Sequence, residues 1–177
     1  FMLRTDSDKK IENFKNYSSI PVINGLSPSS HPTQVLSDIF TIEEIKKRPI
    51  SKLKIVWIGD CNNVFNSLVA ASVKFNFELS VGCPETHHPK KDILAWLNKN
   101  GKKISITSDA KKAVRKADVI FTDKVISLND KGNKKKKLIY FKNFKITRKL
   151  MKLAKKDCIF LHCLPRGPEL DDKVFSS

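Results

Sequence analysis

From Leu53 onward the chain alternates five short apolar runs with segments of helical spacing, and that alternation limits it to one kind of fold. The runs are LKIVWIG (53–59), FELSVGC (77–83), KISITS (103–108), DVIFTD (118–123) and DCIFLHC (157–163). Helical patterns separate them. Residues 62–75 turn Val64, Leu68, Ala71 and Phe75 inward, 89–99 are built around Ile93, Leu94, Trp96 and Leu97, 109–117 open on Asp109, and 146–155 form the last. Near-continuous apolar runs are strands buried on both faces, and strands separated by helices pair in parallel. The expected fold class is therefore α/β, a five-stranded parallel sheet flanked by helices.

The first fifty residues follow a different pattern. Residues 7–17 read as a short helix capped by Ser7 with Ile11 and Phe14 on one face, 20–24 as a strand and 25–30 as a loop. His31 then stands at a helix cap with Pro32 at the first helical position, and Val35, Leu36, Ile39 and Phe40 make an apolar face that runs to about Ile45. Charged residues 46–52, interrupted by Pro49, read as a linker. The start at Phe1 and the lack of a clear stop after Val174 and Phe175 lead to the expectation of a fragment.

Composition excludes more than it identifies. The 177 residues carry 34 Lys and Arg against 18 Asp and Glu, a formal charge of +16. The lysines are spread along the chain, and their densest run, 131–137, has neither aromatics nor Arg, so it reads as a solvated loop and no nucleic-acid partner is expected. No run approaches the roughly 18–20 apolar residues of a membrane span. The four cysteines form no Cys-x-x-Cys pair, which speaks against zinc, a redox motif or a disulfide framework and fits a reducing compartment. After the first strand only Gly59 is present, where a dinucleotide-binding turn needs several glycines. No cofactor and no metal is expected.

What remains is a set of polar residues that follow strands. Ligands of open parallel sheets bind beyond the carboxyl ends of the strands, where loops converge and helix N-termini present free N–H groups. Asp60, Asn62 and Asn63 follow the first strand, Asp123 and Ser127 the fourth, and Cys163 the fifth. Asn63, at a helix start, suits a small carboxylate. His31 and Gln34 share one helical face beside Asp38, where a neutral imidazole can donate to a carbonyl and an amide oxygen can accept from an –NH2 group. Helix caps and a turn proline would explain each residue singly, but not their gathering on one edge.

In order and separation, HPTQVLSDIFTIEE, WIGDCNNVFNSLVAAS, TDKVIS and HCLPRGPELDDKVF resemble the ornithine branch of the aspartate/ornithine carbamoyltransferases. The resemblance implies two domains, with residues 1–48 the tail of a carbamoyl-phosphate domain and 49–177 an ornithine-binding domain. It implies that His31 and Gln34 hold the carbamoyl group, and that Asn63, Asp123, Ser127 and Leu128 hold the amino-acid head of ornithine. Cys163 and the carbonyl of Leu164 would sit at the reacting centre, aimed by a cis Leu164–Pro165 bond. The family further implies L-ornithine and carbamoyl phosphate as substrates, a homotrimer, and a cytoplasmic or, in a eukaryote, mitochondrial location. A related amine such as putrescine is the alternative acceptor, against which Asp123 and Ser127 argue. Residues 124–129 depart from the family's usual Thr-Trp-(Ile/Val)-Ser-Met-Gly, and its Ser-x-Arg-Thr-Arg phosphate motif is absent.

Overall fold

A computed structural model describes residues 1–126 and 133–176. At its centre is a five-stranded, all-parallel sheet of β3 (Lys54–Ile58), β4 (Glu78–Gly82), β5 (Ser105–Thr107), β6 (Val119–Thr122) and β7 (Ile159–His162), ordered β5-β4-β3-β6-β7. The chain winds outward from β3 to β5, then returns to the other side of β3 for β6 and β7. Between β3 and β6 the connections therefore leave in opposite directions, and a crevice opens there at the carboxyl ends.

Each central strand feeds two cores because its side chains alternate. Ile55 and Trp57 face one cluster, with Phe65, Leu68, Phe77 and Leu97, while Val56 and Ile58 face the other, with Ala113, Val114, Phe144 and Ile146. Helices α3 (Asn63–Lys74) and α4 (Lys91–Lys99) belong to the first layer. The second holds α5 (Ala110–Val114) and two further helices, α6 (Lys134–Phe141) and α7 (Arg148–Met151). A last short helix, α8 (Asp172–Phe175), follows β7. Ahead of the sheet lie β1 (Met2–Arg4), α1 (Asp8–Tyr17), β2 (Ile23–Leu26) and α2 (Pro32–Lys46), with β1 and β2 paired in parallel.

The expected strand order along the chain and the layered sheet are both present, with local differences. Residues 134–137 of the lysine run lie in α6, not in a loop, because Asn133 caps the helix and Phe141 anchors it in the core. Lys134, Lys135 and Lys136 are exposed, whereas Lys137 is partly buried. Of α2, Val35, Ile39 and Ile42 are buried, whereas Leu36 and Phe40 are exposed. The helix expected over 146–155 is only α7, since Thr147 caps it late and Ile146 bridges to Leu170 instead. Among the described residues no helix is long and apolar enough to cross a membrane.

Candidate active site

Strand register brings the polar residues of the carboxyl edge together. Thr122 is opposite His162 in the β6–β7 ladder, so Asp123 and Cys163 are the next positions beyond it. There the Cys163 thiol donates to Asp123 Oδ1 at 2.6 Å. On the other side of β6 the chain leaves β3 through Gly59, whose φ of +139° favours glycine and whose missing Cβ would meet Thr122 Oγ1 at 3.1 Å. That turn leads directly into α3. Asn62 caps the helix by accepting from Val64 and Phe65 N–H, and its amide donates to Asp123 Oδ2 at 2.6 Å. Both oxygens of Asp123 are thus held, and by neutral donors.

The loop before α2 is fastened to the same helix. Asn63 donates to the Ser27 carbonyl (3.0 Å), Asn66 donates to the Ser29 carbonyl (3.0 Å), and Ser67 Oγ accepts from His31 N–H (2.7 Å). An Asn side chain carries two N–H donors, so Asn63 keeps one for a ligand. The last of these bonds holds the His31 backbone against α3. Partial burial and the charge of Arg4 hold the His31 imidazole below its usual range, against the pull of Asp123, so the ring is neutral at pH 7. Nδ1 lies 3.4 Å from Thr33 Oγ1, too long to fix which nitrogen carries the proton.

One turn along α2, Gln34 Nε2 donates to Asp38 Oδ1 at 2.9 Å. With its nitrogen committed, Gln34 has its oxygen left to accept from an –NH2 group. Burial pushes the Asp38 carboxyl up to about 6, the Gln34 bond working against that and the charge of Asp123 adding to it. The Cys163 thiol is pushed up to about 12 by burial, then by its bond to and the charge of Asp123. It is a neutral donor at pH 7, not a thiolate nucleophile.

His31, Gln34, Asn63, Asp123 and Cys163 therefore share one edge, and Asp38 and Asn62, placed beside them by the sequence, join as hydrogen-bond partners of Gln34 and Asp123. Leu164 is 73 % exposed, and its bond to Pro165 is cis as expected. Ser127 and Leu128 lie outside the described residues. Lys137 of α6 reaches the turn after β3 and pairs with Asp60 at 2.6 Å, so the lysine run has a member at the rim of the site. Among the described residues no group of three or more His, Cys, Asp or Glu is arranged to hold a metal ion.

Residues 51–177 match the aspartate/ornithine carbamoyltransferase Asp/Orn binding domain, and residues 1–44 match the carbamoyl-P binding domain. The chain belongs to the aspartate/ornithine carbamoyltransferase family. Within that family it is 41 % identical to the ornithine carbamoyltransferase of Geobacter metallireducens over 176 residues, covering 98 % of this chain and 58 % of the relative. An equal identity, over 175 residues and with the same coverage, holds for the ornithine carbamoyltransferase of Methanosarcina acetivorans. The crystal structure of the anabolic ornithine carbamoyltransferase from Campylobacter jejuni superposes with a TM-score of 0.91 at 38 % identity, covering 99 % of this chain and 60 % of that one. The Pyrococcus furiosus ornithine carbamoyltransferase gives 0.87 at 38 % identity, covering 99 % and 58 %. The chain thus spans just under three fifths of the length of the curated relatives it matches.

Proposed function

We propose that this chain carries the ornithine side, and part of the carbamoyl side, of an ornithine carbamoyltransferase active site. The reaction transfers the carbamoyl group of carbamoyl phosphate to the δ-amine of L-ornithine, giving L-citrulline and phosphate. The observation that carries the reading is Asp123, whose carboxylate, among the described residues, accepts from Asn62 and Cys163 and makes no ion pair with Lys or Arg. A carboxylate fixed by neutral donors keeps its charge for an incoming ammonium, here the α-ammonium of ornithine. Asn63, beside the positive end of α3, takes the α-carboxylate, and Ser127 and Leu128 complete the head-group contacts.

On the carbamoyl side His31 donates to the carbonyl oxygen and the Gln34 oxygen accepts from the amino group. The neutral δ-amine attacks the carbamoyl carbon, a C–N bond forms, and negative charge develops on oxygen before the C–O bond to phosphate breaks, the departing phosphate taking up the proton that the nitrogen loses. Cys163 and the Leu164 carbonyl border the reacting atoms. The chemistry needs no covalent enzyme intermediate, and the protonated Cys163 thiol serves as a neutral donor. Catalysis is then positioning of two substrates and stabilisation of the oxyanion by preset donors.

In this reading residues 1–48 end the carbamoyl-phosphate domain and 49–177 form the ornithine domain, and the full-length protein works as a homotrimer in the cytoplasm or mitochondrial matrix. The family's phosphate-binding arginines have no counterpart in this chain. Several charge-assisted hydrogen bonds, each worth about 1.5–3 kcal/mol, are then missing, and solvated lysines lack the bidentate geometry to replace them. The test is citrulline formation by the purified 177-residue chain beside a version lengthened upstream to cover the rest of the family's carbamoyl-phosphate half. Turnover should be restricted to the longer protein. Comparable turnover by both would refute the placement of the phosphate site, and none by the longer protein would refute the activity.

A further inference from the structure

We infer that Glu169 is a positioning residue that locks the Asp123 loop to the turn carrying Cys163, and so sets the geometry in which ornithine is held. The inference rests on the functional reading above for its kinetic consequence, but its structural content stands on its own. Glu169 is 5 % exposed and lies in the chain just after the 164–167 turn. Its Oε2 accepts from Val125 N–H at 3.3 Å, two residues beyond Asp123. Its Oε1 accepts from Gly167 N–H at 2.5 Å and faces His162 Nε2 at 3.0 Å, one residue before Cys163. The other ring nitrogen of His162 faces the Cys163 carbonyl oxygen.

The Asp123–Cys163 bond is therefore one rung between the β6 loop and the β7 turn, and Val125–Glu169–His162 is a second beneath it. Only a carboxylate fits this second rung. Three N–H groups converge on two oxygens, and a Gln side chain has one acceptor oxygen and would turn an –NH2 toward a donor on the other side. Space is equally restricted, because a Cβ on Gly167 would lie 2.7 Å from Glu169 Oε2 and 2.9 Å from Oε1. Burial of the carboxylate is offset by these hydrogen bonds, His162 first, which hold it below the usual carboxylate range.

Two variants test the lock, Glu169→Gln, which removes an acceptor, and Gly167→Ala, which keeps the carboxylate but pushes it aside. In the 177-residue chain, amide hydrogen exchange followed by NMR should speed up at Val125 and Gly167 by about tenfold, equivalent to ~1.4 kcal/mol of local opening. Exchange in the β3–β4 ladder should stay as it was. Unchanged exchange at Val125 and Gly167 in the Gln variant overturns the inference, whatever the enzyme does. In the lengthened enzyme, KM for ornithine should rise about tenfold in both variants while KM for carbamoyl phosphate stays within about twofold. A merely structural loss would lower the active fraction and leave both KM values alone, and that result would also overturn it. Absence of turnover in the unsubstituted enzyme would count against the functional reading, with the exchange data still deciding the lock.

Discussion

The two ends of β6 each carry an aspartate, and they have opposite surroundings. At the amino end Asp118, 1 % exposed, accepts from Lys155 Nζ at 2.8 and 2.9 Å, from Arg48 at 3.3 Å and from Lys54 N–H at 2.9 Å. Those partners tie the residues before β3 and β7 to the start of β6, and the carboxylate is saturated with positive charge. At the carboxyl end Asp123 has an amide and a thiol and is half-open to the crevice. A buried carboxylate with its cations already in place is structural; one held by neutral donors has unspent attraction for a cation. Five residues apart, the same side chain is saturated with cations at one edge and held by neutral donors at the other, which under the proposed function divides stability from ligand recognition.

That contrast can be broken by removing each charge in turn. In the lengthened enzyme Asp123→Asn should cut kcat/KM for ornithine by roughly 10²–10³, the consequence of removing one partner of a desolvated ion pair worth ~3–4 kcal/mol. Steady-state kinetics checks it, and a fall below threefold would mean that Asp123 does not hold the ammonium. Asp118→Asn should do the reverse, leaving KM for ornithine alone while lowering unfolding stability by about 2–3 kcal/mol in urea titrations. Its partners hold the folded pKa of Asp118 below its ordinary 3.8 despite the opposing effect of burial, so that stability is present above pH 3.8 and is lost as the pH falls below it.

A smaller effect sharpens the comparison at the carboxyl edge. The Asp38 carboxyl has a folded pKa of about 6, above its ordinary 3.8. Such a group favours the fold when protonated. Its contribution is complete below pH 3.8 and is lost as the pH rises through 6. Asp38→Asn, which mimics the protonated form, should therefore raise Tm more at pH 8 than at pH 4.5. An equal change at both would show that Asp38 ionises as freely as in the unfolded chain.

Much of the layer structure was legible in the residues. The five apolar runs could only be buried parallel strands, and Asn62 and Asp109 stand at helix starts where their side chains do hold N–H groups, whereas the late start that Thr147 gives the last of these helices was not read. The lysine helix was not legible, since four consecutive lysines show no apolar spacing, and what holds α6 is Phe141 in the core and Lys137 on Asp60. Nor could spacing tell Ile42, which is buried, from Phe40, which is 69 % exposed, because both lie on a helix with more apolar residues than one face can bury.

By itself the sequence determined the strand-and-helix alternation, and with it the fact that Asn63, Asp123 and Cys163 would all emerge on the carboxyl side. It did so because the period of apolar residues is a local property, set by the pleat and by 3.6 residues per turn. Only the tertiary structure decided that β6 lies between β3 and β7. Strand order depends on which faces and edges pack best over the whole chain, and no window of residues contains it. That order puts Asn62 on one side of Asp123 and Cys163 on the other, from 61 and 40 residues away. It also closes Glu169 onto Val125 across 44 residues, a contact to which neither residue's neighbours in the chain point.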